Sequence, residues 1–325
     1  MTRAIRVHAY GGPEVLQAED ITVGSPGRGE VKLRQTAIGL NYIDVYLRTG
    51  LYPQPMMPFI PGMEGAGVVT EVGAGVTDLK AGDRVAYAGP AGGYAEERLI
   101  AADRLVPLPA GIDDKTAAAM MLQGMTVEYL LNRTFKVGPT TTLLLHAAAG
   151  GIGLMACQWA RDLGATLIGT VGSPEKAALA LAHGATHVIN TRTENFVTRV
   201  KEITGGRLCD VAYDSIGKDT YMGSLDCLKP RGLLVAFGQS SGAIPPFDLA
   251  ILNQKGSLYV TRPALGAYVG KREELLATAN ALFQMVATGK VKIEVNQTYP
   301  LSRAADAHRD LEARKTTGST VLLPG

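Results

Sequence analysis

Cysteine is scarce in this chain, and its three residues, Cys157, Cys209 and Cys227, are widely spaced and never form a C-x-x-C pair. That excludes a disulfide framework and a cysteine-rich structural zinc lobe, and leaves buried thiols as the expectation. Histidine is equally thin: His8, His146, His183, His187 and His308 show no ligand spacing, so no metal site is expected. An excess of one charge sign is missing too, with 32 Lys and Arg against 30 Asp and Glu. No general attraction for nucleic acid or an anionic membrane follows from such a balance. The longest apolar run, LLLHAAAGGIGLMAC, is short and broken by glycine, and the amino-terminal MTRAIRVHAYGG has no signal-peptide core. A cytoplasmic protein without a membrane segment is expected.

What is present is an apolar content of 46% over 325 residues, enough for a core in each of two domains. Up to about residue 120 the chain is rich in valine, glycine and proline, in short segments such as EVKLRQTAI, GAGVVTEVG and DRVAYA set between turn signals. A strand-rich, barrel-like domain is predicted there. The texture then changes to DDKTAAAMMLQGMTVEYLLNRTF, which predicts a helical stretch carrying the chain between domains. Beyond it TTLLLHA, ATLIGTV and THVIN alternate with the helical GGIGLMACQWARDLG and PEKAALALAHG, and CDVAYDS and GLLVAFG fit later strands. Apolar strands joined by helices imply a parallel sheet covered on both faces, an α/β architecture. A helix over REELLATANALFQMVATG and a tail ending in STVLLPG close the chain. That tail has no adequate core of its own, and a return to the first domain is one of the topologies left open.

Ala148-Ala149-Gly150-Gly151-Ile152-Gly153 stands where a buried strand meets an amphipathic helix, the setting of a dinucleotide-binding turn. Gly150 permits close approach of a pyrophosphate, Gly153 tight packing of helix on strand, and the helix amino terminus offers unpaired N–H groups. Ala148 replaces the usual first glycine. At the end of the second strand, where an NAD-specific site places an acid, GTVGSPEK has Gly172 and Ser173, with Lys176 one turn on. A hydroxyl and an ammonium suit a 2′-phosphate, so NADP(H) is expected over NAD(H).

PGMEGAGVVTEVG begins like a catalytic zinc segment but carries Met63, whose thioether is a poor zinc ligand. Together with YGGPEVL, IGLNYIDVYLRTGLYP, LKAGDRVAY, HAAAGGIG, YDSIG and NQKGSLYVTRP, it makes nearly the whole chain resemble the zinc-free NADPH:quinone oxidoreductase branch, related to ζ-crystallin, of the medium-chain dehydrogenase/reductase superfamily. In zinc-dependent relatives a cysteine stands where this chain has Asn41 and a histidine where it has Met63. The resemblance implies a GroES-like strand-rich catalytic domain (residues 1–124), a Rossmann NADP(H)-binding domain with a doubly wound parallel sheet (125–264) and a return segment completing the catalytic domain (265–325). It places the cleft at their junction and implies a homodimer joined through the edge strand in GSLYVTRP.

The same resemblance assigns catalysis to Asn41, Tyr46, Tyr52 and Thr126. Cofactor contacts are implied at Tyr42, Ile43, Asp44, Val45, Tyr46, Tyr129, Gly150, Gly151, Ile152, Gly153, Gly172, Ser173, Lys176, Thr191, Ser215, Phe237, Gly238, Gln239, Ser240, Arg262 and Arg314. After VIN the family commonly has a tyrosine beside the adenosine phosphate; here Thr191 departs from that pattern, followed by Arg192. A quinone accepts hydride with its charge spread over a ring that becomes aromatic, so positioning and hydrogen bonds can replace a metal. The tyrosines and Asn41 have an alternative as interior packing and loop stabilisation, and Glu64 is expected to orient backbone or pair with a basic side chain rather than act as an acid. Reduction of the C=C bond of enones or enals is the competing activity. A non-catalytic crystallin-like or RNA-binding protein is the alternative from another class, which the near-neutral charge disfavours.

Overall fold

The computed structural model describes all 325 residues, Met1–Gly325. Two compact units emerge: the first is Met1–Met125 with Val269–Ala287 and Ile293–Gly325, the second Thr126–Tyr268 with Thr288–Lys292.

In the first unit a seven-stranded sheet runs in the order Val295–Pro300, Ser319–Leu323, Glu30–Leu40, Glu64–Val72, Arg84–Ala88, Val106–Pro107, with Glu97–Ala101 also paired to Glu30–Leu40. The central strand EVKLRQTAIGL buries alternate residues Val31, Leu33, Gln35 and Ala37, then buries every residue from Ile38 to Leu40. That change marks where the strand passes from a half-solvated face into the interior. Its last residues pair with the tail, Leu40 opposite Thr320 and Ile38 opposite Leu322. The tail therefore closes this sheet, which is the return left open by its composition.

The expected helical stretch over DDKTAAAMMLQGMTVEYLLNRTF is broken into Asp114–Ala118, Met121–Tyr129 and a π turn, Leu130–Thr134. Asp113 caps the first piece by accepting from the Thr116 N–H at 2.9 Å. Glu64, on the sheet, accepts from the Leu122 N–H at 2.8 Å. A carboxyl oxygen brought in from a distant strand thus satisfies an N–H at the start of the second helix.

The second unit holds six parallel strands in the order His187–Asn190, Thr166–Val171, Thr142–Leu145, Cys209–Asp214, Leu228–Ala236, Tyr259–Thr261. By chain order this is 3-2-1-4-5-6, the Rossmann arrangement, whose direction reverses between Thr142–Leu145 and Cys209–Asp214. Leu144, Ile168, Ile189, Ala212 and Leu234 form the middle of its core. The segment expected to complete the catalytic domain is not uniform: residues 288–292 group with the second unit, where Gln158 exchanges hydrogen bonds with both backbone groups of Lys292. Cys157, Cys209 and Cys227 are unpaired and buried, and burial pushes the first two thiols up to about 12.

Candidate active site

In the second unit the turn after Thr142–Leu145 is left-handed at Ala147, with φ 56°. Gly150 N–H closes the turn on the Ala147 carbonyl at 3.0 Å and caps the helix Gly151–Asp162. The alanine at 148 is accommodated by its neighbour on the next strand, because a Cβ on Gly169 would lie 2.6 Å from the Ala148 Cβ. A Cβ on Gly153 would sit 2.4 Å from the Ala147 carbonyl, so that position packs helix against strand. At Gly150 the same atom would meet only the Ala147 carbonyl, at 3.3 Å. Open space over a helix amino terminus is what a pyrophosphate requires, and the residues present fit one.

Around this turn lie the other strand ends. Ser173 caps Pro174–Ala182 by accepting from the Lys176 N–H at 3.3 Å, beside Gly172. Thr191 leaves the adjacent strand and bonds the Val171 carbonyl through both its N–H, 2.9 Å, and its hydroxyl, 3.1 Å. Gly238 presses on Ser215, where a Cβ would fall 2.6 Å from the Ser215 carbonyl, and Ser240 N–H reaches that carbonyl at 3.2 Å. Residues 150–153, 172–176, 191, 215 and 237–240 are therefore gathered at one end of the sheet. Tyr129 is stacked on Tyr268 with ring centroids 4.3 Å apart, and burial raises its hydroxyl pKa above the usual range. Arg262, close enough to oppose that rise, donates to the Ala236 carbonyl at 2.8 Å. Thr126, also buried, opens this unit.

A buried polar web underlies the cradle. His146 Nε2 is 2.9 Å from Ser224 Oγ, and Ser224 Oγ donates to Asp214 Oδ2 at 2.8 Å. Because the carboxylate only accepts, the serine proton points to it, and His146 must carry its own proton on Nε2. His146 Nδ1 then accepts from Thr170 Oγ1 at 2.9 Å. Asp214 Oδ1 accepts from the Ile216 and Gly217 N–H groups at 2.8 and 3.0 Å, which shapes the loop carrying Ser215. The set has the residue types of a hydrolytic triad, but the serine stands between histidine and carboxylate, and all three are at most 2% exposed. Its work is to tie three strand ends together.

In the first unit Asn41 precedes the helix Tyr42–Thr49. Its Nδ2 donates to Glu64 Oε2 at 2.6 Å, and its Oδ1 accepts from Gln123 Nε2 at 3.0 Å, whose own carbonyl accepts from Ser319 Oγ at 3.0 Å. This orients the amide and leaves one of its hydrogens beyond the bond to Glu64. Met63, at the other position of a ligand in zinc-dependent relatives, lies with its Cε 3.5 Å from where a Cβ on Gly89 would be. Glu64 finds an amide and a backbone N–H, not a basic side chain, and burial raises its carboxyl to about 8. No group of three or more His, Cys, Asp or Glu side chains is assembled that could hold a metal ion.

Asp44 is fully buried, accepts from Asn41 N–H at 2.9 Å and from Tyr94 Oη at 3.2 Å, and is raised by burial to about 7. Behind it runs a chain that fixes one histidine tautomer. Arg48, 1% exposed, forks onto Glu312 at 2.9 and 2.8 Å and donates to His308 Nδ1 at 3.0 Å, so the histidine proton lies on Nε2, 2.9 Å from Tyr94 Oη. Burial and the guanidinium lower His308 to about 3. On the same helix Val45 is buried and Ile43 half-buried, and its Tyr42 and Tyr46 form a row with Tyr52, just past its end, with centroids 5.5 and 5.3 Å apart. Arg314, left-handed at φ 58°, lies close enough to Tyr42 to lower its pKa against the effect of burial.

Two family models match the chain, the alcohol dehydrogenase GroES-like domain over residues 27–110 and the zinc-binding dehydrogenase over 151–283. A quinone oxidoreductase of Pseudomonas aeruginosa is 55% identical over 325 residues, covering 100% of both chains. The chain belongs to the quinone oxidoreductase family. Within that family the crystal structure of Escherichia coli quinone oxidoreductase complexed with NADPH has a TM-score of 0.98 at 53% identity, covering 99% of this chain and 100% of that one. A 2-haloacrylate reductase from Burkholderia is 47% identical over 332 residues, covering 100% of this chain and 99% of its own. Membership sets the chain in the medium-chain dehydrogenase/reductase superfamily with a GroES-like and a Rossmann unit.

Sequence reasoning missed the supports of these sites. Gln123, Ser319, Tyr94, His308 and Arg48 in the first unit, and His146, Thr170, Asp214 and Ser224 in the second, are joined across long stretches of chain. Only the two short motifs HAAAGGIG and YDSIG, which contain His146 and Asp214, carried a local signal for them.

Proposed function

We propose that the chain is an NADPH-dependent quinone oxidoreductase that works without zinc, as a cytoplasmic homodimer. The observation that carries this reading is the full-length likeness, at a TM-score of 0.98, to a quinone oxidoreductase complexed with NADPH, joined to a cradle that fits a pyrophosphate. When bound, NADPH supplies the hydride. Gly150, Gly151, Ile152 and Gly153 would hold its pyrophosphate; Ser173 and Lys176 its 2′-phosphate; Ser215 and Phe237 to Ser240, with Tyr129, Thr126 and Arg262, the remainder. In the first unit the oriented Asn41 amide has a hydrogen to give a quinone oxygen, and Tyr46 and Tyr52 present rings and hydroxyls to an aromatic acceptor. Asn41 and Met63 supply neither thiolate nor imidazole, which supports the zinc-free reading. The exposed residues Tyr259 and Val260 on the edge strand support a two-fold pairing, and the unpaired buried cysteines suit a reducing compartment.

Anaerobic assays of metal-stripped protein with NADPH and simple benzo- and naphthoquinones test the proposal. One hydroquinone should form per NADPH consumed, and turnover no faster than the uncatalysed rate would refute it. The likeness to a 2-haloacrylate reductase favours one second reading, reduction of a C=C bond conjugated to a carbonyl. Product analysis with an enone separates the two, because only that reading yields saturated ketone.

A further inference from the structure

Strands Thr166–Val171 and His187–Asn190 run parallel, with Asn190 opposite Val171, so the residues that follow each strand emerge side by side. From one come Gly172 and Ser173, from the other Thr191 and Arg192. A Cβ on Gly172 would meet only one atom within contact range, Arg192 Nε at 3.9 Å. The Thr191 hydroxyl is turned away, donating to the Val171 carbonyl at 3.1 Å. Arg192 is exposed, and its backbone N–H is fixed by Asn190 Oδ1 at 3.2 Å. The neighbouring acid Glu194 does not neutralise it, being engaged by Asn190 N–H at 3.0 Å and by Arg199 at 2.8 Å. A different acid lies across the turn: the exposed Glu175, two residues after Ser173 in the first turn of the helix that Ser173 caps.

We infer that two opposed side chains flanking Gly172 and Ser173 adjust the selection of NADPH over NADH in this chain beside Lys176, with Arg192 favouring the 2′-phosphate and Glu175 opposing it. The inference rests on the nicotinamide-nucleotide reading proposed above and adds two residues that bear on its specificity. A guanidinium offers a planar fork to phosphate oxygens and gains nothing comparable from an uncharged 2′-hydroxyl. A carboxylate two residues from Ser173 repels the dianion, while leaving a hydroxyl almost unaffected. Thr191, its hydroxyl spent on the Val171 carbonyl, offers the phosphate none, and the cation one residue on takes that side of the site.

Binding, not turnover, tests it. NADPH, NADH and adenosine 2′,5′-bisphosphate are titrated calorimetrically into the full-length protein and its variants. Arg192→Gln should raise the Kd for NADPH and for the bisphosphate about tenfold and leave NADH within about twofold. Arg192→Lys, which keeps the charge, should recover most of the loss. Glu175→Gln should tighten NADPH alone, by an amount that shrinks as salt rises. If wild type prefers NADPH but Arg192→Gln leaves the NADPH-to-NADH ratio unchanged, or weakens both cofactors equally, the inference is overturned and the cofactor reading survives. If wild type binds both cofactors alike, that reading falls as well.

Discussion

Asp44 sits in surroundings that set a sign for its pH behaviour. Its carboxyl titrates near 7 in the folded chain against an ordinary 3.8, with burial as the leading cause. Across that window the folded state holds a proton that the unfolded chain has released. The associated stability is present in full below the unfolded value and is lost as pH rises through the folded one. Glu64, raised to about 8 from 4.5, acts in the same direction. The urea midpoint of wild type should therefore fall more steeply between about pH 4 and 7 than that of Asp44→Asn. Parallel profiles would show that the carboxyl titrates at its ordinary value. A second residue-level prediction concerns Gly169, whose added Cβ would lie 2.6 Å from that of Ala148. Gly169→Ala should cost about 1–3 kcal/mol in thermal or urea unfolding, and Ala148→Gly in the same chain should recover it. The substitution at 148 was legible in the sequence because a glycine fingerprint has fixed spacing. Its compensation was not, because Gly169 meets it only through the register of two strands.

At the scale of elements, the strands and helices of the second unit were legible because strands buried on both faces are continuously apolar and the helices between them are amphipathic. The break between Asp114–Ala118 and Met121–Tyr129 was not, since the group that meets the N–H of Leu122 there, the Glu64 carboxyl, comes from a distant strand. The candidate site divides in the same way. Its glycines, Asn41 and the tyrosines stand in local motifs, while the groups that orient them arrive from elsewhere in the chain. The web beneath the cradle supplies an element-level test. Ser224→Ala leaves the His146 Nε2–H without its acceptor while Asp214 keeps Thr220, so unfolding free energy should drop by about 1–3 kcal/mol. Coupling with His146→Leu should exceed about 0.5 kcal/mol in a double-mutant cycle, because both changes act on one bond. Additive losses would mean that the bond contributes little to the alignment of the strand ends.

For the whole molecule, the proposed homodimer makes a direct prediction at the edge of the parallel sheet. Val260, 38% exposed beside Tyr259 at 61%, should tolerate lysine in the monomer but not in a paired edge. Val260→Lys should thus move the sedimenting species from dimer to monomer with circular dichroism unchanged, whereas a wild type that sediments as a monomer would dispose of the dimer. The pairing of Leu40 with Thr320 also bears on synthesis. During translation, residues 38–40 lack this partner strand until about 280 further residues have been made, a wait of roughly 15–60 seconds at ordinary ribosomal rates. Asn41 follows immediately, and Ser319, the anchor of its Gln123 support, emerges in the same late stretch. The nascent chain can complete its six-stranded sheet earlier, so the glycine turn of the second unit can mature before the Asn41 amide of the first is held by its late-made support.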